Sequence, residues 1–416
     1  MKLLIQNVRL ETGYLYENEA VVATKTEIGA ILIENGRFVK FSEQIDPNGA
    51  EILDAQGQLL LPSLKEMHVH LDKTYFGGEW HAPSEAPNGI FTRLEEEKML
   101  LPAQLASVAD RAHHMIQHYI ANGHTHIRTH VNVDSQIETK HVAIIKEVLA
   151  QYKDRITYEI VAFPQHGLLR NGEDFLTVME EALALGVTHI GGVDPATMDH
   201  DIGGILEKTF ELAEKYNVGI DIHLHDLDTL GAFEMHRIVD AIEARHFQTP
   251  VTISHAFALA GVQGAERDDL VQRMAENHVN VTTAIAMGNA PITLPIAYLD
   301  KKGIQVALGH DSLIDHWSPF GTGDTVQKLN QVARRFHWVD EYRIGQSLKF
   351  ATGGITPLSE KGARIWPKID DFANAILVDA VSSAHLIARQ CPISTVISNG
   401  TIIHKTDIEL KGAYRG

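Results

Sequence analysis

Hydrophobic and polar positions follow two different rhythms along the chain. Residues 1 to about 60 carry short alternating runs, LLIQNVRL, EIGAILIENGRFVKF and AEILDAQGQLLLP, broken by the turn signals Glu34-Asn35-Gly36 and Pro47-Asn48-Gly49. That pattern predicts a small antiparallel sheet. The C-terminal stretch repeats it with FANAILVDA and STVISNGTIIHK, where Asn399-Gly400 marks a hairpin turn. Between these ends, strand-like apolar runs alternate with amphipathic helical ones. The strands are expected at EMHVHL, 125–133, 156–163, 188–194, 219–226, 251–257, 280–287 and 304–312. Helical patterns such as LPAQLASVADRAHHMIQHYIANG and EDFLTVMEEALALG lie between them, the latter closed by Gly186. Eight strands in alternation with helices predict an α/β fold, a (β/α)8 TIM barrel over 61–367, with a doubly wound sheet as the alternative. Residues 1–60 plus 368–416 are expected to form one small β-sandwich domain built from both chain termini.

Composition narrows the class. The 416 residues are 44% hydrophobic and 22% charged, which is globular rather than disordered. With 36 basic and 54 acidic residues the formal charge is -18, which repels phosphate backbones and anionic membranes, so nucleic acid and membrane surfaces are not expected partners. The single cysteine, Cys391, rules out an intrachain disulfide and a cysteine-rich zinc site; it reads as a small buried hydrophobe. The apolar run Leu3, Leu4, Ile5 stops at Gln6, too short for a signal-peptide core, and no window approaches a membrane span, so a cytoplasmic location is the expectation.

A barrel places its chemistry at the carboxyl ends of its strands, and the unusual polar residues fall there. His68 and His70 lie two apart on the first strand, so both imidazoles project to one face and can hold a divalent metal. Gln165 and His166 follow the third strand and Asp194 the fourth; His223, His225 and Asp226 close the fifth; His255 ends the sixth; His310 and Asp311 end the eighth. Polar residues scattered at random would not track one end of so many elements, and the joint pattern predicts a metal site.

HVHLDK at 68–73, IRTHVNV at 127–133, IVAFPQHG at 160–167, DIHLHD at 221–226, ISHAFAL at 253–259 and GHDSLIDHWSPFGTGD at 309–324 together resemble the amidohydrolase superfamily, most closely its cytosine deaminase branch. The resemblance implies one divalent metal per subunit, zinc or iron, held by His68, His70, His223 and Asp311. The strand ends that would carry a bridging carboxylated lysine in two-metal relatives offer Gln165 and Asp194 instead. It further implies that the metal ionises a water near neutral pH, that Asp311 takes the water proton, and that His255 orients the water. Asp226 stands where that branch has a longer glutamate to shuttle a proton to the leaving amine. The difference of one methylene is about 1.5 Å, and displacements near 1 Å can cost ~10²-fold in rate.

His225 shares a face with His223 by the period of two, so it is expected to share the acid/base role or contact substrate. Gln165 resembles the glutamine that recognises the ring amide of cytosine, and Asp194 hints at altered specificity, toward a substrate bearing an amine or cationic group. Trp317 and Phe320 are candidates to floor a flat heterocycle, and Lys73 to bind a polar substituent. Residues 76–98, rich in Gly and Pro and carrying Trp80, read as a loop that serves as a lid. His113, His114, His118, His124 and His126 read as structural or surface residues. The expected function is metal-dependent deamination of a cytosine-like heterocycle, a small-molecule partner. The alternatives are hydrolysis of an N-alkylamine or cyclic amide, and, from another class, a barrel that binds ligand without turnover. Relatives in the superfamily are often oligomers, so a homo-oligomer is a possible assembly.

Overall fold

The computed structural model describes residues 2–285 and 292–406. Eight parallel strands, Leu64–Val69, His124–Asn132, Thr157–Phe163, His189–Val193, Gly219–His223, Val251–Ser254, Asn280–Thr283 and Val306–Leu308, pair in chain order. The eighth returns to the first through a parallel bridge between Val69 and Asp311, and the Asp311 N–H donates to the His68 carbonyl at 2.7 Å. The sheet is thus a closed (β/α)8 barrel. Gly309 makes the closure possible, because a Cβ there would lie 2.5 Å from the His68 Cβ.

All eight expected strands are present; the third ends at Phe163 as expected and the others end one to four residues short of the apolar run that predicted them, so that His70, His225, Asp226 and His255 sit in the loops just beyond. Residues 286–287 of the seventh expected strand lie outside the described residues. Packing outside the barrel is apolar: Met115, Ile116 and Tyr119 of the helix Val108–Ala121, and Ile238, Val239 and Ile242 of the helix Asp228–Arg245, are buried in one continuous core with the strand residues.

A second eight-stranded sheet joins both ends of the chain. Its path places the hairpin Ile393–Ser398 and Thr401–Lys405, then Ala375–Val378, beside Leu59–Pro62, followed by the long pair Lys2–Glu17 and Ala20–Glu34 and the strand Arg37–Ser42. The sheet is mixed rather than antiparallel, because Lys2–Glu17 pairs in parallel with Glu51–Asp54 and at Arg9 with Leu59. Alternation fixes which face a residue takes but not the direction of its neighbour, so this could not be read from the pattern. The turns Asn35-Gly36 and Asn399-Gly400 are both left-handed at both residues and pack on one another, a Cβ on Gly400 meeting Gly36 Cα at 3.1 Å and one on Gly36 meeting the Asn399 carbonyl oxygen at 3.1 Å. Residues 407–416 of the expected terminal unit lie outside the described residues.

One element differs from expectation. Residues 76–89 are loop, but the chain turns helical from Ile90 to Gln104. Leu94, Glu97 and Leu101, spaced three and four apart, form its buried side.

Candidate metal centre and active site

At the carboxyl end of the barrel, one ligand atom from each of His68, His223, His255 and Asp311 lies within 4.8 Å of all the others. His70 joins them, with Nε2 3.3 Å from Asp311 Oδ1; His68 Nε2 is 3.4 Å from the same oxygen and His255 Nε2 3.9 Å from Oδ2. The geometry therefore brings together the four expected ligands and places His255 among them. Nε2 of His68, His223 and His255 is in each case buried without a hydrogen-bond partner, which leaves lone pairs converging on one point. Burial pushes the imidazoles of His70, His223 and His255 down, His70 to about 4, so they are neutral at physiological pH, as a metal requires. Burial alone would raise the Asp311 carboxyl, but His255, His68 and His70 hold it well below the usual range. A divalent metal fits this donor set.

The tautomers are set from behind. His70 Nδ1 donates to the His130 carbonyl at 3.2 Å, which aims a bare Nε2 at Asp311. The Ser254 hydroxyl donates to Asp221 at 2.6 Å and so accepts from His68 Nδ1 at 3.0 Å, leaving His68 Nε2 bare too. Asp221 is held in turn by Arg128 at 2.9 Å. His130, buried beneath the site, stacks on His68 with ring centres 4.1 Å apart, and Phe163 stacks on His223 at the same distance. Asp194, His255 and Asp311 all hold left-handed backbone, with φ of 35°, 68° and 60°. Non-glycine residues take that conformation at a cost of about 1–3 kcal/mol each, which the surrounding barrel sustains at this end.

Above the ligands opens a cavity of about 260 Å³ lined by His70, Lys73, Gln165, Asp194, His223, His225, Asp226, Asp311 and Trp317, and also by Ile90, Thr197 and Ser312. A larger cavity, about 580 Å³, lies between the terminal sheet and the opposite end of the barrel near Lys65, His126 and Trp366; it is far from the metal-ligating group. In the smaller one, the oxygens of Asp194 are taken up by His225, accepting its backbone N–H at 2.5 Å and its Nδ1–H at 2.8 Å. Asp194 therefore serves His225 rather than offering a free carboxylate to a substrate. Burial would lower the His225 imidazole, but the Asp194 carboxylate beside it raises it. Asp226 accepts the Thr197 hydroxyl at 2.6 Å.

Lys73 is fully buried and donates to Gln165 Oε1 at 2.7 Å and to Glu97 at 3.2 Å. Glu97, from the helix Ile90–Gln104, also accepts from His166, His316 and Trp317 Nε1, each at 3.0 Å. Burial would raise its carboxyl, but Lys73 and the histidine hydrogen bonds hold it well below the usual range. The sequence pattern missed Glu97 because a glutamate among EEEK reads as a solvated face. It missed His130 for lack of a neighbouring ligand motif, although Arg128 and His130, two apart, pointed to one inward face. Phe320 does not floor the cavity: it is 79% exposed, as Trp80 is at 78%. The five outlying histidines stay away from the cavity lining, as expected; His124, for example, is buried between the Tyr119 carbonyl and Thr325. Cys391 is half-buried. Among the described residues no helix is long and apolar enough to cross a membrane.

Comparison with known proteins agrees with this geometry. The family model described as "Amidohydrolase family" matches residues 51–404. The chain is 36% identical to the uncharacterised protein YahJ of Escherichia coli K12, over 96% of this chain and 87% of that one. The crystal structure of N-isopropylammelide isopropylaminohydrolase from Burkholderia multivorans superposes with a TM-score of 0.85 at 28% identity, covering 97% of this chain and 98% of that one. The 5-methylcytosine deaminase of Klebsiella pneumoniae shares the fold, with a TM-score of 0.77 at 24% identity over 98% of each chain. With a model match across most of its length and the donor set just described, the chain belongs to the amidohydrolase family, as a hydrolase of carbon–nitrogen bonds.

Proposed function

We propose that the enzyme uses one divalent metal, zinc or iron, to hydrolyse the exocyclic C–N bond of an oxo-substituted nitrogen heterocycle, releasing an alkylamine. The observation that carries the reading is the pairing of the converging imidazole nitrogens with a wall of donors across the cavity. When bound, the metal supplies a water ionised near neutral pH. Lys73 takes up the carbonyl end of the Gln165 amide and a Glu97 oxygen, so the Gln165 N–H groups and the third Lys73 N–H remain for substrate. A ring edge that meets two donors must itself carry acceptors, such as a carbonyl oxygen or an unprotonated ring nitrogen. Trp317 offers an indole face at the same cavity.

Two acid/base groups reach the cavity from the loop after the fifth strand. His225, with Nδ1–H committed to Asp194, offers Nε2 to move a proton to the leaving nitrogen. Asp226 lines the cavity beside it. The shorter aspartate at 226 leaves room for a leaving group larger than ammonia, and the similarity to N-isopropylammelide isopropylaminohydrolase supports that choice. Cytosine-type deamination is the second reading, favoured by the place of Gln165.

The test incubates purified, metal-analysed protein with N-isopropylammelide and, separately, with cytosine, and reads amine and ammonia by mass spectrometry. Isopropylamine from the first, abolished by a chelator and restored by zinc or iron, is expected. Ammonia from cytosine with no amine from the other substrate transfers the assignment to the second reading; no product from either refutes both. Asp311→Asn is expected to lose turnover and metal together, whereas Asp226→Ala loses ~10²-fold in kcat and keeps its metal.

A further inference from the structure

Behind the cavity a second carboxyl group backs Asp226. Glu234 sits on the inner side of the helix Asp228–Arg245, next to Gly231, Ala232 and Met235, and is wholly shielded from solvent. Its Oε1 accepts the Ala196 N–H at 2.7 Å; its Oε2 is buried and meets no donor. Asp226 mirrors it: Oδ1 accepts from Thr197, and Oδ2 is buried and meets no donor. Ala196 and Thr197 are consecutive, so the two carboxyls they hold are brought side by side, each with one buried oxygen unclaimed. Two ionised carboxylates cannot share such a contact, since both are acceptors and both are negative.

We infer that Asp226 and Glu234 hold a single proton between them, and that Glu234 is the positioning residue that fixes Asp226 at the leaving-group side of the cavity. The ionisable groups facing Glu234 are Asp226, from the loop after the fifth strand, and Asp194, from the loop after the fourth, the latter already paired with His225. Burial and these two carboxylates push the Glu234 carboxyl up to about 8, against the pull of the Ala196 N–H. Glu234 therefore carries the proton at neutral pH and donates it to the Asp226 oxygen that has no other partner. With Thr197 on one oxygen and Glu234 on the other, the short aspartate is held from both sides. Above about pH 8 Glu234 loses its proton and with it the donor it offers to Asp226. The role at the leaving group rests on the function proposed above; the shared proton does not.

Infrared spectroscopy of the full-length protein tests the proton without any substrate. The wild-type minus Glu234→Gln difference spectrum at pH 6.5, about 1.5 units below the expected transition, should contain a protonated-carboxyl C=O band that titrates away near pH 8. Absence of that band overturns the inference. The amine-release assay then tests the positioning role. Wild-type kcat/KM should fall more steeply above about pH 8 than that of Glu234→Gln, which keeps an N–H donor at every pH and so retains only the limb set by His225. Glu234→Leu, with no donor, should lose about tenfold at neutral pH with unchanged metal content. An alkaline limb in Glu234→Gln as steep as that of the wild type, or equal losses in the Gln and Leu variants, overturns the role. If no substrate turns over, the infrared band alone decides the shared proton, and the fault lies with the proposed reaction.

Discussion

Ser254 illustrates how much of the metal site depends on side chains that never touch the metal. Its hydroxyl passes the charge of Asp221 to His68 and so keeps Nε2 of that ring free of a proton. Ser254→Ala is expected to weaken metal affinity ~10–100-fold, read by competition with a chelator, while the fold is retained. The same dependence explains what could be read in the chain. His68 and His70 stand out because they lie two apart on one strand face, His223 and Asp311 because they fall at strand ends, and the resemblance to the superfamily joins the four as a ligand set. Ser254, Asp221 and Glu234 are ordinary residues in sequence, and only their mutual approach gives them a task. His225 was visible for the opposite reason, as one of two histidines on one face, yet its partner Asp194 lies 31 residues away and could be assigned to it only in space.

The helix Ile90–Gln104 shows the same division at the level of an element. Its Gly- and Pro-rich approach was legible as an excursion over the active face, but its helical character was not. The segment TRLEEEK contains good helix formers and no broad apolar stripe, because its buried side is completed by a glutamate. Glu97 ties this helix to the loops after the first, third and eighth strands through Lys73, His166 and Trp317. Glu97→Leu takes from the buried Lys73 ammonium its hydrogen-bonded carboxylate, leaving Asp72 and Asp315 as the remaining negative charges, and we expect a loss of about 3 kcal/mol by thermal or denaturant unfolding. Pairing it with Lys73→Met removes both charges and should restore most of that stability, which distinguishes lost charge compensation from lost packing.

For the molecule as a whole, the two ends of the chain are joined over a buried ionisable group, Glu11 of the strand Lys2–Glu17. Its carboxylate accepts the Ser383 N–H at 2.5 Å at the start of the helix Ser383–Arg389. Burial pushes Glu11 up from 4.5 to about 7. A native state that binds this proton more tightly than the unfolded chain gains stability that is fully present below pH 4.5 and is lost as pH rises to about 7. The shift corresponds to about 3 kcal/mol, so Glu11→Gln should flatten the fall in Tm across that window and leave stability at pH 4 little changed. The sheet itself was legible as two sets of alternating runs, whereas its mixed order was not, since pairing partners come from opposite ends of the chain. Local rhythm alone determined the eight barrel strands, their order and the ends at which chemistry would collect, because periodicity and strand-end placement are properties of near neighbours. Closure at Val69 and Asp311, the bare nitrogens around Asp311, the His225–Asp194 pair and the carboxyl contact behind Asp226 were decided by tertiary structure, because burial and proton sharing depend on groups that only the closed barrel brings within reach.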